Sequence, residues 1–389
     1  LQLKENFINQ TKHLKVAIVH DWMFSRRGGE KVLEQILNLF PNADMYYLFG
    51  TPDKVLNLEN KHKFNASFLA RIPFIKKIYK GLLPFFPIAI ESFDLSQYNL
   101  IISSSSCVAK GIVPPPLGLH IAYIHSPMRY AWDQEHRYFT KIPSFKRPLE
   151  ILRRFLLNRL RIWDITSSVR IDKLITNSQF VARRCSLFYG KESKVIYPPI
   201  HTHFFQNNTK ISCASVEKRK VLLFGAWTPY KKMFEALETL MQNGIQVIAA
   251  GHGSELIKAS RKFKNNVEFF INPLDDEIPI IFSKAHTLLF PAIEDFGIVP
   301  LEATSSGLWV VAPNQGGTKE TVLNEVTGFT FEESSKESML NAVLKSLKRD
   351  LLEHDLNNMK SQVEKFSIEN FQINFTKEVL MTLKKETKF

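Results

Sequence analysis

Short apolar runs alternate with helical periodicities twice along this chain. Lys15–His20 (KVAIVH) is a compact apolar run that reads as a strand, and a turn at Gly28-Gly29 follows it. From Glu30 to Phe40 apolar residues recur at Val32, Leu33, Ile36, Leu37 and Phe40, the spacing of an amphipathic helix. Further strands are expected at Asn99–Ser103, His120–Ile124, Lys173–Thr176 and Lys194–Tyr197, the last stopped by Pro198-Pro199. A polar stretch from Asn207 to Arg219 interrupts the pattern. The alternation then resumes with strands expected at Lys220–Phe224, Gln246–Ala250, Val267–Phe270, Thr287–Phe290 and Trp309–Ala312. It closes on a helical pattern from about Ile368 to Leu383.

Strands alternating with helices imply parallel α/β sheets, and doing so twice implies two Rossmann-like domains. A chain of 389 residues is long for a single core, which agrees. The expected division is an N-terminal domain over 1–200, a linker over 201–219 and a second domain over 220–366. A C-terminal helix over 367–389 is expected to pack back on the first domain. Parallel sheets facing each other across a cleft favour ligand binding there, but the architecture names no reaction.

Composition narrows the class. Cys107, Cys185 and Cys213 are widely spaced and form no CxxC pair, which argues against a zinc site or disulfide framework and fits a reducing compartment. Leu1–Leu14 is polar and charged, so no signal peptide is expected, and no apolar stretch is long enough to span a bilayer. The expected location is therefore cytoplasmic.

Charge changes the picture more. The chain carries 51 Lys and Arg against 38 acids, a formal charge of +13. Lys61, Lys63, Arg71, Lys76, Lys77 and Lys80 lie in a stretch without acids, interleaved with Phe68, Phe74, Ile78, Phe85 and other large apolar residues. Lys141, Lys146, Arg147, Arg153, Arg154, Arg159 and Arg161 surround the single acid Glu150. Basic charge with apolar bulk suits an anionic bilayer surface, where each cation contributes about 1 kcal/mol. An ordinary solvated basic face is the competing reading. No helix-turn-helix, zinc-finger or RNA-binding signature accompanies the charge, so nucleic acid is not an expected partner.

The densest chemistry lies in FPAIEDFGIVPLEATSSG, Phe290 to Gly307. A strand ends at Pro291, a loop carries Glu294 to Gly297, and Pro300 is expected at the first helical position with Glu302 in the first turn. Free N–H groups at a helix start bind phosphate or hydroxyl oxygens, and a carboxylate accepts sugar hydroxyl hydrogens. Taken singly, Glu294 reads as a solvated loop acid and Glu302 as a complement to the helix dipole. Together on this frame they suggest a sugar–phosphate site.

Here the sequence resembles the retaining family 4 glycosyltransferases of the GT-B fold, known also as group 1. Glu294 and Glu302 stand in its E-x7-E motif. VAIVHDWM-SRRGGEKVL, HSPMRYAWD, ITNSQFVARR, VIYPPIHTHFF, GAWTPYKK, AGHGSEL and NQGGTKETV follow in the family's order. The resemblance implies a metal-independent hexosyltransferase without a cofactor. Glu294 would hold donor sugar hydroxyls, Glu302 the ribose, and Lys231 the leaving diphosphate. Backbone N–H groups of Phe296, Gly297 and Ile298 would complete the contacts. Gly28 and Gly29 would let backbone approach the diphosphate, and His125 would face the sugar. Asp21 and Trp22, after the first strand, are acceptor-side candidates. The donor favoured by resemblance is GDP-mannose, with a UDP-sugar as alternative. The acceptor expected is a glycan, lipid-linked sugar or lipopolysaccharide, met by an enzyme peripheral on the inner face of the plasma membrane. One departure stands out. An Arg common in relatives five residues before the phosphate-binding Lys is Ala226 here, and Lys232, Arg26 or Arg27 are the candidates to compensate. A sugar-nucleotide epimerase or an inactive sugar-nucleotide-binding homologue are the alternatives. A dinucleotide dehydrogenase is disfavoured because neither first turn carries GxGxxG.

Overall fold

The computed structural model describes residues 2–135, 147–200, 218–333 and 335–386. His201, His203, Cys213 and most of the expected linker, with Lys141 and Lys146 of the basic cluster, lie outside the described residues. The chain divides into two compact units, Leu1–Pro199 with Ile368–Phe389, and Ile200–Ser367.

In the first unit the strands are β1 (Val16–Met23), β2 (Asp44–Gly50), β3 (Phe64–Ala66), β4 (Leu100–Ser105), β5 (Leu119–Ile124), β6 (Lys173–Thr176) and β7 (Lys194–Val195). They form one parallel sheet in the order β3-β2-β1-β4-β5-β6-β7. Every residue of β4 and β5 is buried. Strands covered by helices on both faces read as continuous apolar runs, which is why the sequence announces them. The helix Gly28–Leu39 buries Val32, Leu33, Ile36 and Leu37 in the same cluster as Phe371, Phe375 and Val379 of the helix Ile368–Glu386. Those last three recur every fourth residue, one stripe of a helix. Truncating Phe375 to Ala would cost about 3–5 kcal/mol by the usual cavity penalty.

The strand β1 runs past its apolar core, through His20, Asp21 and Trp22, because Trp22 and Met23 stay in register with Phe49 and Gly50 of β2. This alters two expectations. Asp21 does not follow the strand but belongs to it, and it is buried. One of its oxygens accepts the backbone N–H groups of Ser106 (2.6 Å) and Cys107 (2.9 Å), and the other those of Val108 (2.7 Å) and Ala109 (2.8 Å). A carboxylate satisfied in this way holds the turn after β4 and is not available to an acceptor. Trp22 likewise packs against Phe49, Tyr79 and Phe86, with centroids about 6 Å apart. Its ring anchors the basic 61–90 segment to the sheet.

The long basic helix Arg147–Ser168 is fastened by a buried ion pair. Lys110 Nζ lies 2.9 Å from Asp164 Oδ1, while Asp164 Oδ2 accepts from Trp132 Nε1 (2.8 Å) and the Tyr189 hydroxyl (3.0 Å). With that face committed, Ile151, Leu152 and Phe155 are left exposed, as are Phe74, Phe85, Lys76, Lys77 and Lys80 in the other basic segment. No helix among the described residues is long and apolar enough to cross a membrane.

In the second unit the strands are β8 (Val221–Ala226), β9 (Val247–His252), β10 (Glu268–Ile271), β11 (Thr287–Leu289), β12 (Trp309–Pro313) and β13 (Gly328–Phe331). They form a parallel sheet ordered β10-β9-β8-β11-β12-β13. Both sheets are thus doubly wound. The order reverses between β1 and β4 in the first unit and between β8 and β11 in the second, and the carboxyl ends of strands at such a reversal open a crevice for ligands.

Candidate functional site

At the reversal in the second unit, the loops after β8 and β11 bring together residues 63 positions apart in the sequence. After β8, Trp227 is fully buried and donates from Nε1 to the Ala250 carbonyl (3.0 Å), which fixes the path into the turn Pro229–Lys231. After β11, the loop delivers Glu294. Lys231 Nζ lies 2.7 Å from Glu294 Oε1, and each side chain is about 15% exposed. Lys231 also stands 6.0 Å over the Phe290 ring. A cation and a carboxylate share a largely enclosed place, where the attraction exceeds that of a surface pair.

The carboxylate loop is held from behind. Gly317 N donates to the Glu294 carbonyl (2.8 Å). A Cβ at Gly317 would collide with the Asp295 carbonyl oxygen, so only glycine allows this approach. The Thr318 hydroxyl donates to the carbonyls of Pro313 (3.1 Å) and Gln315 (2.9 Å), tying the bracing turn to β12. Phe296 is buried and packs on Phe366, with centroids 5.6 Å apart, so its side chain belongs to the core.

Gly297 has φ 94° and caps the helix Ile298–Ser305. The helix therefore starts two residues before Pro300, which is its third residue and not its first as expected. Proline is still tolerated there, because the first-turn N–H groups have no partner inside the helix. Glu302 is then the fifth residue, in the second turn. The helix start, at Ile298, points free N–H character into the same end of the sheet as Lys231 and Glu294. Ala226 ends β8 opposite His252 of β9. Of the residues named to offset the absent Arg, Lys232 pairs with Glu333 (2.9 Å) and Arg26 grips Glu34 through two bonds (2.8 and 2.9 Å). Arg27 is exposed at the start of the helix Gly28–Leu39.

The reversal in the first unit collects a second group. Gly28 and Gly29 lie in the first turn of the helix Gly28–Leu39, and a Cβ at Gly29 would stand 3.7 Å from the His125 ring. His125 follows β5, and its Nε2 is 2.8 Å from the Ser104 hydroxyl on β4. Burial, and then the charge of His20, push its pKa down to about 3. On β1, His20 Nδ1 lies 2.9 Å from the Ser104 carbonyl, and its Nε2 is 3.9 Å from Glu30 Oε1. Burial works against charge on His20, but Glu30, Asp21 and the Ser104 carbonyl outweigh it and hold the pKa above 6.5. Nothing in the sequence around His20, Ser104 or Glu30 marks them as a group. Each looks like an ordinary strand or helix residue, and only the strand order gathers them. Among the described residues no group of three His, Cys, Asp or Glu side chains is arranged to hold a metal ion.

Comparison with known proteins bears on both units. Residues 206–365 match the family model of glycosyl transferases group 1. An uncharacterized glycosyltransferase of Methanocaldococcus jannaschii is 28% identical over 211 residues, 48% of this chain and 54% of that protein. The alpha-1,3/1,6-mannosyltransferase ALG2 of Homo sapiens is 28% identical over 193 residues, 41% of this chain and 46% of that protein. The chain thus spans about half the length of these curated relatives. Among solved structures, Anabaena Alr3699/HepE in complex with UDP and glucose aligns with a TM-score of 0.66 at 16% identity, over 94% of this chain and 99% of that one. Sucrose-phosphate synthase from Thermosynechococcus elongatus aligns at 0.70 and 15% identity, over 95% and 100%. At such identities the likeness is one of fold, and the fold is GT-B. The sequence match and the doubly wound units agree: residues 206–365, which make up most of the second unit, are similar to the group 1 glycosyl transferases, and both units share the fold of the solved glycosyltransferase structures.

Proposed function

We propose that this chain is a retaining hexosyltransferase that moves a sugar, mannose from GDP-mannose by preference, onto a lipid-linked sugar, lipopolysaccharide or other glycan. The observation that carries the reading is the Lys231–Glu294 pair at the strand-order reversal, beside the helix start at Ile298. On donor arrival the pair exchanges partners. Lys231 turns to the diphosphate and neutralises it as it leaves, while Glu294 accepts hydroxyl hydrogens of the sugar. Backbone N–H groups of Phe296, Gly297 and Ile298 supply fixed dipoles, and Glu302 takes the ribose. The family resemblance assigns His125, with Gly28 and Gly29, to the sugar and diphosphate. Retention then follows from a front-face route in which the departing phosphate oxygen deprotonates the acceptor hydroxyl, and positioning supplies much of the rate.

Two relatives support the donor class. HepE is described with UDP and glucose, and ALG2 is named a mannosyltransferase. The mannose preference rests on the latter and on the resemblance of HDW…GGEKV, HSPMRYAWD and EDFGIVP, and a UDP-sugar is the alternative donor. The membrane reading rests on the exposed Phe74, Phe85, Ile151 and Phe155 beside Lys76, Lys77, Lys80 and Arg154. It makes the protein peripheral on an anionic surface, the inner face of the plasma membrane.

Ala226 favours one second reading, a homologue that binds sugar nucleotides without turning them over. Product analysis with a labelled donor separates the two. Label transferred to lipid or glycan supports the first reading, tight binding without transfer supports the second, and epimerised free nucleotide sugar overturns both.

A further inference from the structure

The proton positions in the first unit can be worked out from its hydrogen bonds. The Ser104 carbonyl can only accept, so His20 Nδ1, 2.9 Å away, must carry a hydrogen. That same Nδ1 lies 3.1 Å from the Ser104 hydroxyl oxygen, which therefore receives from His20. The Ser104 hydrogen is left to point to His125 Nε2 at 2.8 Å. His125 thus accepts at Nε2 and, being neutral, carries its proton on Nδ1. Nδ1 has no hydrogen-bond partner among the described residues.

We propose that Glu30, His20 and Ser104 form a positioning chain that fixes His125 in its neutral Nδ1–H tautomer, as a hydrogen-bond donor to an oxygen of the bound sugar. The three are positioning residues, since they act through His125 and do not themselves meet the ligand. The chain rests on the reading of this protein as a sugar transferase for the identity of that ligand, although the tautomer does not. Four charged or titratable groups face one another here: Glu30 from the helix Gly28–Leu39, His20 and Asp21 from β1, and His125 after β5. Asp21 is committed to the turn after β4, which leaves Glu30 as the counter-ion of His20. A charged His20 keeps its Nδ1–H in place and disfavours a second proton on His125. The arrangement suits a neutral donor to a hydroxyl. An imidazolium there would be paired instead with any anionic group of the ligand.

The direct test is nitrogen-15 NMR of the full chain labelled at its 11 histidines, with His125 assigned from a His125→Gln variant. At pH 7 the expected pattern is a neutral His125 protonated at Nδ1. An Nε2–H tautomer or a doubly protonated ring overturns the proposal. This readout needs no substrate, so it stands apart from any failure to find sugar transfer. Ser104→Ala is then expected to lose the tautomer preference and to lower kcat roughly tenfold, the worth of one positioned hydrogen bond, with donor KM changed less than about twofold. Equal kcat with a redistributed tautomer removes His125 orientation from the reaction and overturns the functional half. Should Ser104→Ala fail to fold, Glu30→Gln serves in its place. Loss of the Glu30 charge lowers the His20 pKa, so the alkaline limb of the pH–kcat profile must move toward acid. An unmoved limb overturns the chain.

Discussion

Lys231 Nζ and Glu294 Oε1 stand 2.7 Å apart at the strand-order reversal of the second unit, a cation and a carboxylate of the kind the proposed sugar-diphosphate donor would need. Their pairing keeps a cation and a carboxylate aligned before any ligand arrives, which lowers the ordering cost of binding. It also means that each residue's removal alters its partner.

Glu294→Ala is accordingly expected to abolish transfer, by at least about 100-fold, which is the scale of losing one positioned electrostatic contact. The protein should stay folded, because neither side chain is fully buried and the loop that carries Glu294 is also held by Gly317 and Thr318. Freed from its carboxylate, Lys231 should bind the nucleoside diphosphate at least as tightly as in the wild type. Steady-state kinetics and diphosphate titration check both halves. Turnover near the wild-type level would refute the role of Glu294.

The turn after β4 gives a stability prediction. Asp21→Asn retains one acceptor oxygen where two served four backbone N–H groups, so at least one of Ser106, Cys107, Val108 or Ala109 loses its partner. Urea unfolding should report a loss of about 2–5 kcal/mol, from weakened charged hydrogen bonds and an orphaned donor. A change below roughly 0.5 kcal/mol would mean that the carboxylate is not needed there.

Gly317→Ala tests the brace behind Glu294. The added methyl meets the Asp295 carbonyl and must displace the loop that carries Glu294 to Gly297. Donor affinity should fall by an order of magnitude or more, while Ala at the exposed Gly81, where a Cβ meets open space and the backbone is not left-handed, leaves affinity unchanged. Isothermal titration of the two variants makes the comparison. Equal donor affinity would separate the brace from the site.

Buried histidines set an acid limit. Burial pushes His120 and His125 down to about 3 and His286 to about 4, so each is held neutral in the folded protein. The unfolded chain binds those protons near 6.5, and therefore stability is fully present above that pH and falls as pH drops from about 6.5 toward 4. His20 runs the other way. Its raised pKa contributes stability that is lost as pH rises above its folded value. With three groups against one, urea midpoints should drop steadily from pH 7 to pH 5. A flat profile would contradict the neutral assignment.

Much of the fold could be read from the chain because the inner strands of both sheets are covered on two faces. β1, β4, β5, β6, β8, β9, β11 and β12 all coincide with expected apolar runs, no end moved by more than three residues, and so does the edge strand β10. The other edge elements were less visible. β3 spans three residues, β13 opens on a glycine, and the expected strand Lys194–Tyr197 shrinks to Lys194–Val195, since an edge strand needs neither length nor continuous apolarity. β2 (DMYYLFG) is a different case, a buried run whose short apolar stretch carries no periodicity to mark it. Asp21 was misread because register with β2, and not side-chain polarity, decides where β1 ends. Lys231 and Glu294 were singled out by resemblance alone, since nothing local connects two residues in separate loops. Glu30, His20 and Ser104 were not found at all, because their meaning lies in the order β1-β4-β5.

The measurement that bears most directly on the central claim is a thermal-shift titration of the intact chain with a panel of sugar nucleotides, repeated on Lys231→Ala. One donor, GDP-mannose by preference, should stabilise the wild type by roughly 2.7 kcal/mol at 100 times its dissociation constant, and Lys231→Ala should lose most of that gain. No stabilisation by any sugar nucleotide, or equal stabilisation of Lys231→Ala, would contradict the assignment of the Lys231–Glu294 site to the donor.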